Sequence, residues 1–156
     1  MRRIIVSLVG AAGLALPLAC GSHPVGNGTC SDVSGSNHAW LVVVHGSHQT
    51  VDRCVGFDSA AINGIDLMKA SQVQYATQKF GSLGDAFCSI DNEPAHYASC
   101  LPTNSPYWSD WVYQGGHWKS VTTTFNKVKV SPGGGLGWVY TPPSGNPPAP
   151  PNPPSS

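Results

Sequence analysis

An aromatic run in the second half of the chain most constrains its fold. Residues Tyr107–Tyr113 contain two tryptophans and two tyrosines, and Gly115 and Gly116 follow shortly after. Glycine reaches the positive φ angles that a tight hairpin turn requires. The pattern therefore predicts two antiparallel strands, Tyr107–Tyr113 and His117–Phe125, joined by this turn. Such strands form a core, a binding surface, or one of each on opposite faces.

Alternation along the first of these strands sorts its side chains onto two faces. One face receives Tyr107, Ser109, Trp111 and Tyr113, and the other receives Trp108, Asp110 and Val112. One interpretation is that most of these rings are core, because tryptophan is highly buried on average. The other is a stacking platform for a ligand, on the face that no helix covers. On that interpretation, we predict Trp108, Asp110 and Trp118 as ligand-binding residues.

The N-terminal residues predict export. Arg2 and Arg3 precede an apolar stretch, Ile4–Leu18, which is shorter than the roughly 20 residues of a membrane span. Residues 1–19 are therefore interpreted as a signal peptide, with cleavage between residues 19 and 22. No later segment is long and apolar enough to span a membrane, so the sequence predicts a secreted or cell-surface protein.

Cys20 has two possible fates. Residues Leu16–Cys20 resemble a bacterial lipobox, although Pro17 stands where leucine is usual, and Cys20 would then carry the lipid. Alternatively, cleavage after Ser22 removes Cys20 with the signal peptide. Membrane contact is expected only if Cys20 is lipidated.

Four cysteines remain after either route: Cys30, Cys54, Cys88 and Cys100. An even number in an exported chain predicts two disulfides, and four cysteines allow three pairings. We favour Cys30–Cys54 with Cys88–Cys100, because these pairs close two local loops. A zinc site would need thiolates at a short spacing such as C-x2-C, which this sequence lacks. We therefore predict no metal site at these cysteines.

The charge balance argues against a nucleic-acid partner. The chain has 8 basic and 8 acidic residues, and only 10% of its residues are charged. Removing Arg2 and Arg3 with the signal peptide leaves 6 basic against 8 acidic residues, a net charge of about −2. No basic stripe is present, so nucleic acid is not an expected partner. The expected partner is a small molecule or an envelope component, without a cofactor.

The order of elements predicts an α+β fold. An apolar strand at Ala39–Val44 and an alternating strand at Val51–Phe57 form a hairpin, and one short helix follows through Ala70, capped by Ser59 or Asn63. Several strands come after it. This order indicates a β-grasp-like, antiparallel or mixed sheet with one helix packed on one face. The other face is left to water or a ligand.

Composition divides the chain into four parts. Residues 1–19 are the signal peptide, 20–37 a flexible leader, 38–141 the β-grasp-like domain, and 142–156 a proline-rich tail. The tail is predicted to be disordered. It is interpreted as a spacer in preference to a ligand for a proline-recognition domain.

Two further clusters have a chemical and a plain interpretation. His45 and His48 in the first hairpin turn, near Asp52, could bind a transition metal, but two imidazoles without a clear third ligand are more typical of a solvated turn. Asp91 and Glu93 are close carboxylates, but a glycosidase needs its pair across a cleft, and a turn is the better interpretation. No G-x-S-x-G motif is present, so we predict no catalytic residues.

The ordered motifs resemble a known family. The relevant segments are Arg53-Cys54, Ile62–Met68, Phe87–Asp91 followed by Pro94 and Cys100, Tyr107–Trp111, Gly115–Trp118 and Gly137-Trp138. Together they resemble the exported bacterial β-grasp domains related to the transcobalamin C-terminal domain, the DUF4430 group, over roughly residues 39–140. The sequence differs from the family pattern in Asn92, where glycine is usual, and Asp110, where an aromatic residue is usual. The resemblance implies a β-grasp fold and a binding or accessory role, and it supplies no established activity.

Aromatic richness without a catalytic constellation predicts a non-catalytic binding or interaction module of the cell envelope. Two alternatives stay open at this point. One is an enzyme of unknown class acting on envelope polymers, and the other is a purely structural secreted protein.

Overall fold

The computed structural model describes residues 25–144 and 146–154. The predicted signal peptide and Cys20 lie outside the described residues. Within those two ranges, no helix is long and apolar enough to cross a membrane.

The main sheet has six strands in the order β1-β3-β2-β10-β7-β8. Their bounds are β1 Val25–Asn27, β2 Asn37–Val44, β3 Thr50–Phe57, β7 Tyr107–Gln114, β8 His117–Ser120 and β10 Gly135–Thr141. Strand β10 lies parallel to β2 and antiparallel to β7, with Trp138 opposite both Val43 and Asp110. The last strand therefore occupies the middle of a mixed sheet, which is a β-grasp-like arrangement.

The remaining elements cover one face of this sheet. They are β4 Ile62–Asn63, α1 Gly64–Ala70, β5 Tyr75–Lys79, β6 Asp85–Ile90 and β9 Lys129–Val130, with 3₁₀ turns at Gly81–Leu83 and Phe125–Lys127. Strands β4 and β9 form one small sheet, and β5 and β6 form another. The predicted α+β class, with a single short helix on a mixed sheet, is confirmed. Asn63 precedes α1 but makes no side-chain capping bond.

The face that meets α1, here called the inner face, carries the main core. Leu41 and Val43 of β2 and Leu136 and Trp138 of β10 pack there against Leu67 and Met68 of α1. The opposite, outer face carries a second cluster of Trp40, Cys54 and Val33. Strand β2 is apolar on both sides because both of its faces are covered. The prediction that the outer face is left to water or a ligand is wrong in this region.

Two disulfides tie loops to the sheet. Cys30–Cys54 joins the N-terminal segment to β3, and Cys88–Cys100 joins the loop after β6 to β6. The favoured pairing is confirmed. Disulfides persist in oxidising compartments, so both are typical of an extracytoplasmic protein.

Other boundaries differ from the predictions. The second aromatic strand ends at Ser120 instead of Phe125, and the aromatic hairpin lies at the sheet edge, since β8 pairs with β7 alone. The leader contains the short strand β1, which pairs with β3. Cys30–Cys54 holds this segment beside β3, which a sequence pattern of Gly, Ser and Asn does not reveal.

Candidate functional site

A pocket of about 230 Å³ opens on the inner face beside β7. Its walls come from β6, β7 and the segment before the Phe125–Lys127 turn, and they include Phe87, Trp108, Asp110 and Thr124. We call this cavity the Asp110 pocket. A groove of about 560 Å³ also runs along loop residues 94–106. The Asp110 pocket is the better candidate, because apolar walls with a few convergent polar groups are typical of ligand sites.

The Asp110 carboxyl is the most unusual group in the pocket. Burial raises its pKa to about 7, and the indole N–H of Trp138, its cross-strand neighbour, opposes the rise. That N–H does not reach hydrogen-bond geometry, since Trp138 Nε1 has no partner within the described residues. Asp110 therefore changes charge near neutral pH.

Unpaired polar atoms occur on Thr124 of the pocket wall, on the nearby Asn126 and on Trp138, which pairs with Asp110 across the sheet. Across residues 25–144 and 146–154, the buried side-chain atoms without a hydrogen-bond partner are Thr124 Oγ1, Asn126 Oδ1 and Trp138 Nε1. Thr124 lines the pocket itself, and Asn126 Nδ2 donates to Asp85 Oδ2 at 3.0 Å on the pocket wall. Buried polar atoms are nearly always paired in native proteins. Three unpaired atoms on neighbouring segments therefore mark a polar region that a ligand could satisfy.

The pocket rim depends on two local features. The Cys88–Cys100 bridge fixes Cys100 and Leu101, which line one side. On the other side Gly84, with φ +90°, approaches Thr124 so closely that a Cβ at Gly84 would lie 2.5 Å from Thr124 Cγ2. Only glycine fits this position, because of both the positive φ and the close contact.

The outer face carries a different arrangement. The ring centroids of Trp118 of β8 and Tyr113 of β7 lie 5.1 Å apart with the ring planes tilted by 56°. Trp118 Nε1 donates a hydrogen bond to the carbonyl of Pro151 at 3.0 Å. Pro150 is buried beside Gly137 of β10. We call Tyr113, Trp118 and Gly137 the outer aromatic face, and residues 146–154 the proline strap. The strap lies against the sheet, which differs from the predicted disordered tail, because proline rings pack on aromatic rings without needing other apolar side chains.

A third cluster lies around His45. Its Nδ1 is 2.7 Å from Glu93 Oε2, and its Nε2 is 3.3 Å from Asp91 Oδ2. The Glu93 carbonyl in turn accepts a 3.0 Å hydrogen bond from Trp108 Nε1. Both imidazole nitrogens are therefore engaged with carboxylates that fix the turn after β6. No group of three or more His, Cys, Asp or Glu residues in the described ranges is arranged to hold a metal ion.

The structure separates the three predicted ligand-binding residues. Trp108 and Asp110 come together on the wall of the Asp110 pocket, whereas Trp118 lies on the outer aromatic face. The prediction that Trp108 and Asp110 occupy the face away from the helix is wrong. Trp108 belongs to the same buried cluster as Leu67 and Met68, because its cross-strand partner Tyr140 points to the helix side.

Sequence reasoning missed Thr124, Asp85 and Gly137. The run Thr122–Thr124 carries no recognisable motif, and its proximity to Asp110 arises only from the fold. Gly137 had one usable signal, a glycine inside an otherwise apolar strand. Such a glycine often marks a close approach of another segment.

Comparison with known proteins adds little. No protein-family model matches the chain, and no curated protein matches it. Among solved structures, the chain is similar to a proposed metal binding protein from Ruminococcus gnavus ATCC 29149, with a TM-score of 0.48 and 17% sequence identity. The match covers 69% of this chain and 98% of that protein. This likeness is too distant to assign a function.

Proposed function

We propose that the protein is an exported, non-catalytic binding module that takes a small organic cation in the Asp110 pocket. The observation that carries the proposal is a buried carboxyl with a pKa of about 7, set among aromatic walls and unpaired polar atoms. A cation above aromatic rings is attracted by their negative faces, and more strongly when it is desolvated. An ionised Asp110 would supply the counter-charge.

The residues that line the pocket favour binding of a cation over binding of an anion or a neutral ligand. Phe87 and Trp108 offer aromatic surface, and Asp85 provides a second carboxylate at the wall. No lysine or arginine lines this pocket among the described residues. An anion would meet two carboxylates without a compensating positive charge, which is unfavourable in a partly buried site.

The signal peptide and the family resemblance extend the proposal. We place the protein outside the cytoplasm, either secreted or anchored through Cys20, and within the transcobalamin-related DUF4430 group. The two disulfides and the β-grasp-like strand order support both assignments. The alternative enzyme function has less support, because both nitrogens of His45 contact carboxylates, those of Asp91 and Glu93.

Calorimetric titration with benzylammonium tests the ligand class, and benzyl alcohol serves as the neutral control of similar shape. Benzylammonium should bind and benzyl alcohol should not. Because only ionised Asp110 attracts the cation, apparent affinity at pH 5 should be up to about a hundredfold lower than at pH 8. Tryptophan fluorescence should change on binding, since Trp108 forms part of the wall.

The matched variants are Asp110→Asn, which removes the charge with little change in shape, and Asp66→Asn on the exposed surface of α1. The first should abolish the preference for benzylammonium, and the second should preserve it. Equal binding of benzylammonium and benzyl alcohol by the unmodified protein would rule out a cation site. Unchanged affinity in Asp110→Asn would rule out the role of Asp110.

A further inference from the structure

The proline strap is built from three successive triplets. Each triplet begins with two prolines: Pro147-Pro148-Ala149, Pro150-Pro151-Asn152 and Pro153-Pro154-Ser155. Proline fixes φ near −65°, and a run of prolines favours polyproline II, which has three residues per turn. Equivalent positions of the triplets then fall on the same side of the extended segment.

Burial along the strap follows this period of three. Pro150 is buried and Pro147 and Pro153 are half-buried, whereas Ala149 and Asn152 are exposed. The first proline of each triplet therefore faces the protein, Pro154 is half-buried as well, and the third position of the first two triplets faces solvent.

The outer aromatic face fits this segment in two ways. The indole N–H of Trp118 meets the Pro151 carbonyl at 3.0 Å, and polyproline II leaves such carbonyls free because it has no internal hydrogen bonds. Gly137 admits the ring of Pro150: a Cβ there would lie 2.7 Å from Pro150 Cγ and 2.9 Å from the Trp118 ring. The Tyr113 ring supports the Trp118 ring from one side.

Aromatic-lined grooves in several domain families bind proline-rich segments, which enter them as preformed polyproline II helices. We infer that the outer aromatic face is a recognition surface for Pro-Pro-x triplets, and that a proline-rich segment of another polypeptide binds there by displacing the strap. This site lies on the opposite side of the sheet from the Asp110 pocket, so it does not depend on the proposed function.

The strap is the resident competitor at this surface. It follows β10 after a short connection, so its effective concentration at the face is in the millimolar range typical of short linkers. A peptide with the sequence of the strap must overcome this concentration and should bind the full chain weakly. Weakening the strap should raise the apparent affinity without altering the face itself.

Fluorescence anisotropy with a labelled peptide Pro-Pro-Ala-Pro-Pro-Asn-Pro-Pro tests the inference. The full chain carrying Pro150→Ser should bind this peptide about fivefold more tightly than the unmodified full chain, which is the factor that corresponds to releasing a strap held by about 1 kcal/mol. Adding Trp118→Phe should reduce that affinity about fivefold again, because phenylalanine keeps an aromatic ring but lacks the N–H. A peptide with alanine in place of every proline is the control, and it should not bind.

Binding of the proline peptide no tighter than the alanine peptide by the Pro150→Ser chain would overturn the inference. If that variant fails to fold, titration of the unmodified chain with millimolar peptide decides the matter, with the Trp118 indole resonance as the readout. A shift that saturates supports displacement, and an unchanged resonance overturns it. The unmodified chain could also form a dimer that excess peptide dissociates. That result would overturn the assignment to another polypeptide, because a second copy of this chain would then be the partner.

Discussion

The two faces of the sheet at β7 and β10 use the same aromatic residue types for opposite purposes. On the inner face, Trp108 lines the pocket with the Asp110 carboxyl, and the indole nitrogen of Trp138, the cross-strand neighbour of Asp110, is unpaired. On the outer face, Trp118 has its N–H paired with a carbonyl of the same chain. The inner face retains unsatisfied polar groups that a ligand could use, whereas the outer face is already satisfied by the strap. Alternating residues of β7 and β10 thus contribute to two surfaces, of which only the inner one carries a carboxyl.

The largest expected effect concerns the charge of the inner face. Because the pKa of folded Asp110 is about 7, against an ordinary aspartate value of 3.8, the folded state keeps a proton that the unfolded state loses between about pH 4 and 7. The free energy of unfolding should therefore fall across this range, by on the order of 4 kcal/mol, and this penalty stays constant above it.

Asp110→Asn removes this penalty, so it should stabilise the protein at pH 8 and have little effect at pH 4. Denaturant unfolding at both pH values measures the difference. Asp66→Asn is the control and should leave the difference between the two pH values unchanged. If Asp110→Asn is equally stabilising at both pH values, Asp110 does not titrate as described.

Removing the two disulfides one at a time is a second way to distinguish the contributions of the inner and outer faces to ligand binding. Replacing both cysteines of either bridge by alanine should lower the free energy of unfolding by about 3 kcal/mol, since the bridged residues are 24 and 12 apart. The functional consequences should differ. Loss of Cys88–Cys100 should weaken benzylammonium binding, because Cys100 lines the pocket, whereas loss of Cys30–Cys54 should leave it intact.

Denaturant unfolding measures the change in the free energy of unfolding. Calorimetric titration measures benzylammonium binding, under conditions where each variant is folded. Equal loss of benzylammonium binding in the two variants would show that the inner and outer faces are coupled.

The smallest expected effect concerns the strap. Gly137→Ala should place a methyl group against Pro150 and Trp118, so the strap should leave the face. Loss of one hydrogen bond and its packing should cost about 1 kcal/mol, because the sheet itself is unaffected. A thermal melt measures the loss of stability, and protease digestion measures detachment, because a detached strap should be cleaved. Ser120→Ala, on the same edge strand, is the control and should stay resistant, and a resistant Gly137→Ala chain would contradict the packing described.

Local patterns predicted much of the fold. The apolar run Ala39–Val44 and the alternation of Val51–Phe57 correctly predicted the first hairpin. The apolar residues that precede Ala70 correctly predicted the helix. The even cysteine count and short loops correctly predicted both disulfides. Each of these predictions rests on residues close in sequence, where periodicity and loop closure act directly.

The candidate site depended on contacts that no local pattern encodes. Alternation correctly placed Trp108 and Asp110 on one face, but the side on which α1 packs follows from the pairing of β10 with β2. Thr124 follows β8 and reaches the same pocket through the path of the segment between β8 and β9, which no sequence motif marks. The strap was missed for another reason. Low apolar content suggested disorder, whereas the period of its prolines and the aromatic face together decide its position.

The position of β10 also determines when this domain can form. Its partner β2 comes from the other end of the domain, and β10 forms the middle of the sheet. Pairings between distant parts of a chain slow folding, because a long loop must close first. A chain still emerging from a channel, with its last forty residues inside, lacks the strand that joins the two halves. The strap follows β10 after a short connection and contacts Trp118 and Gly137, so it can dock only once β8 and β10 are in place.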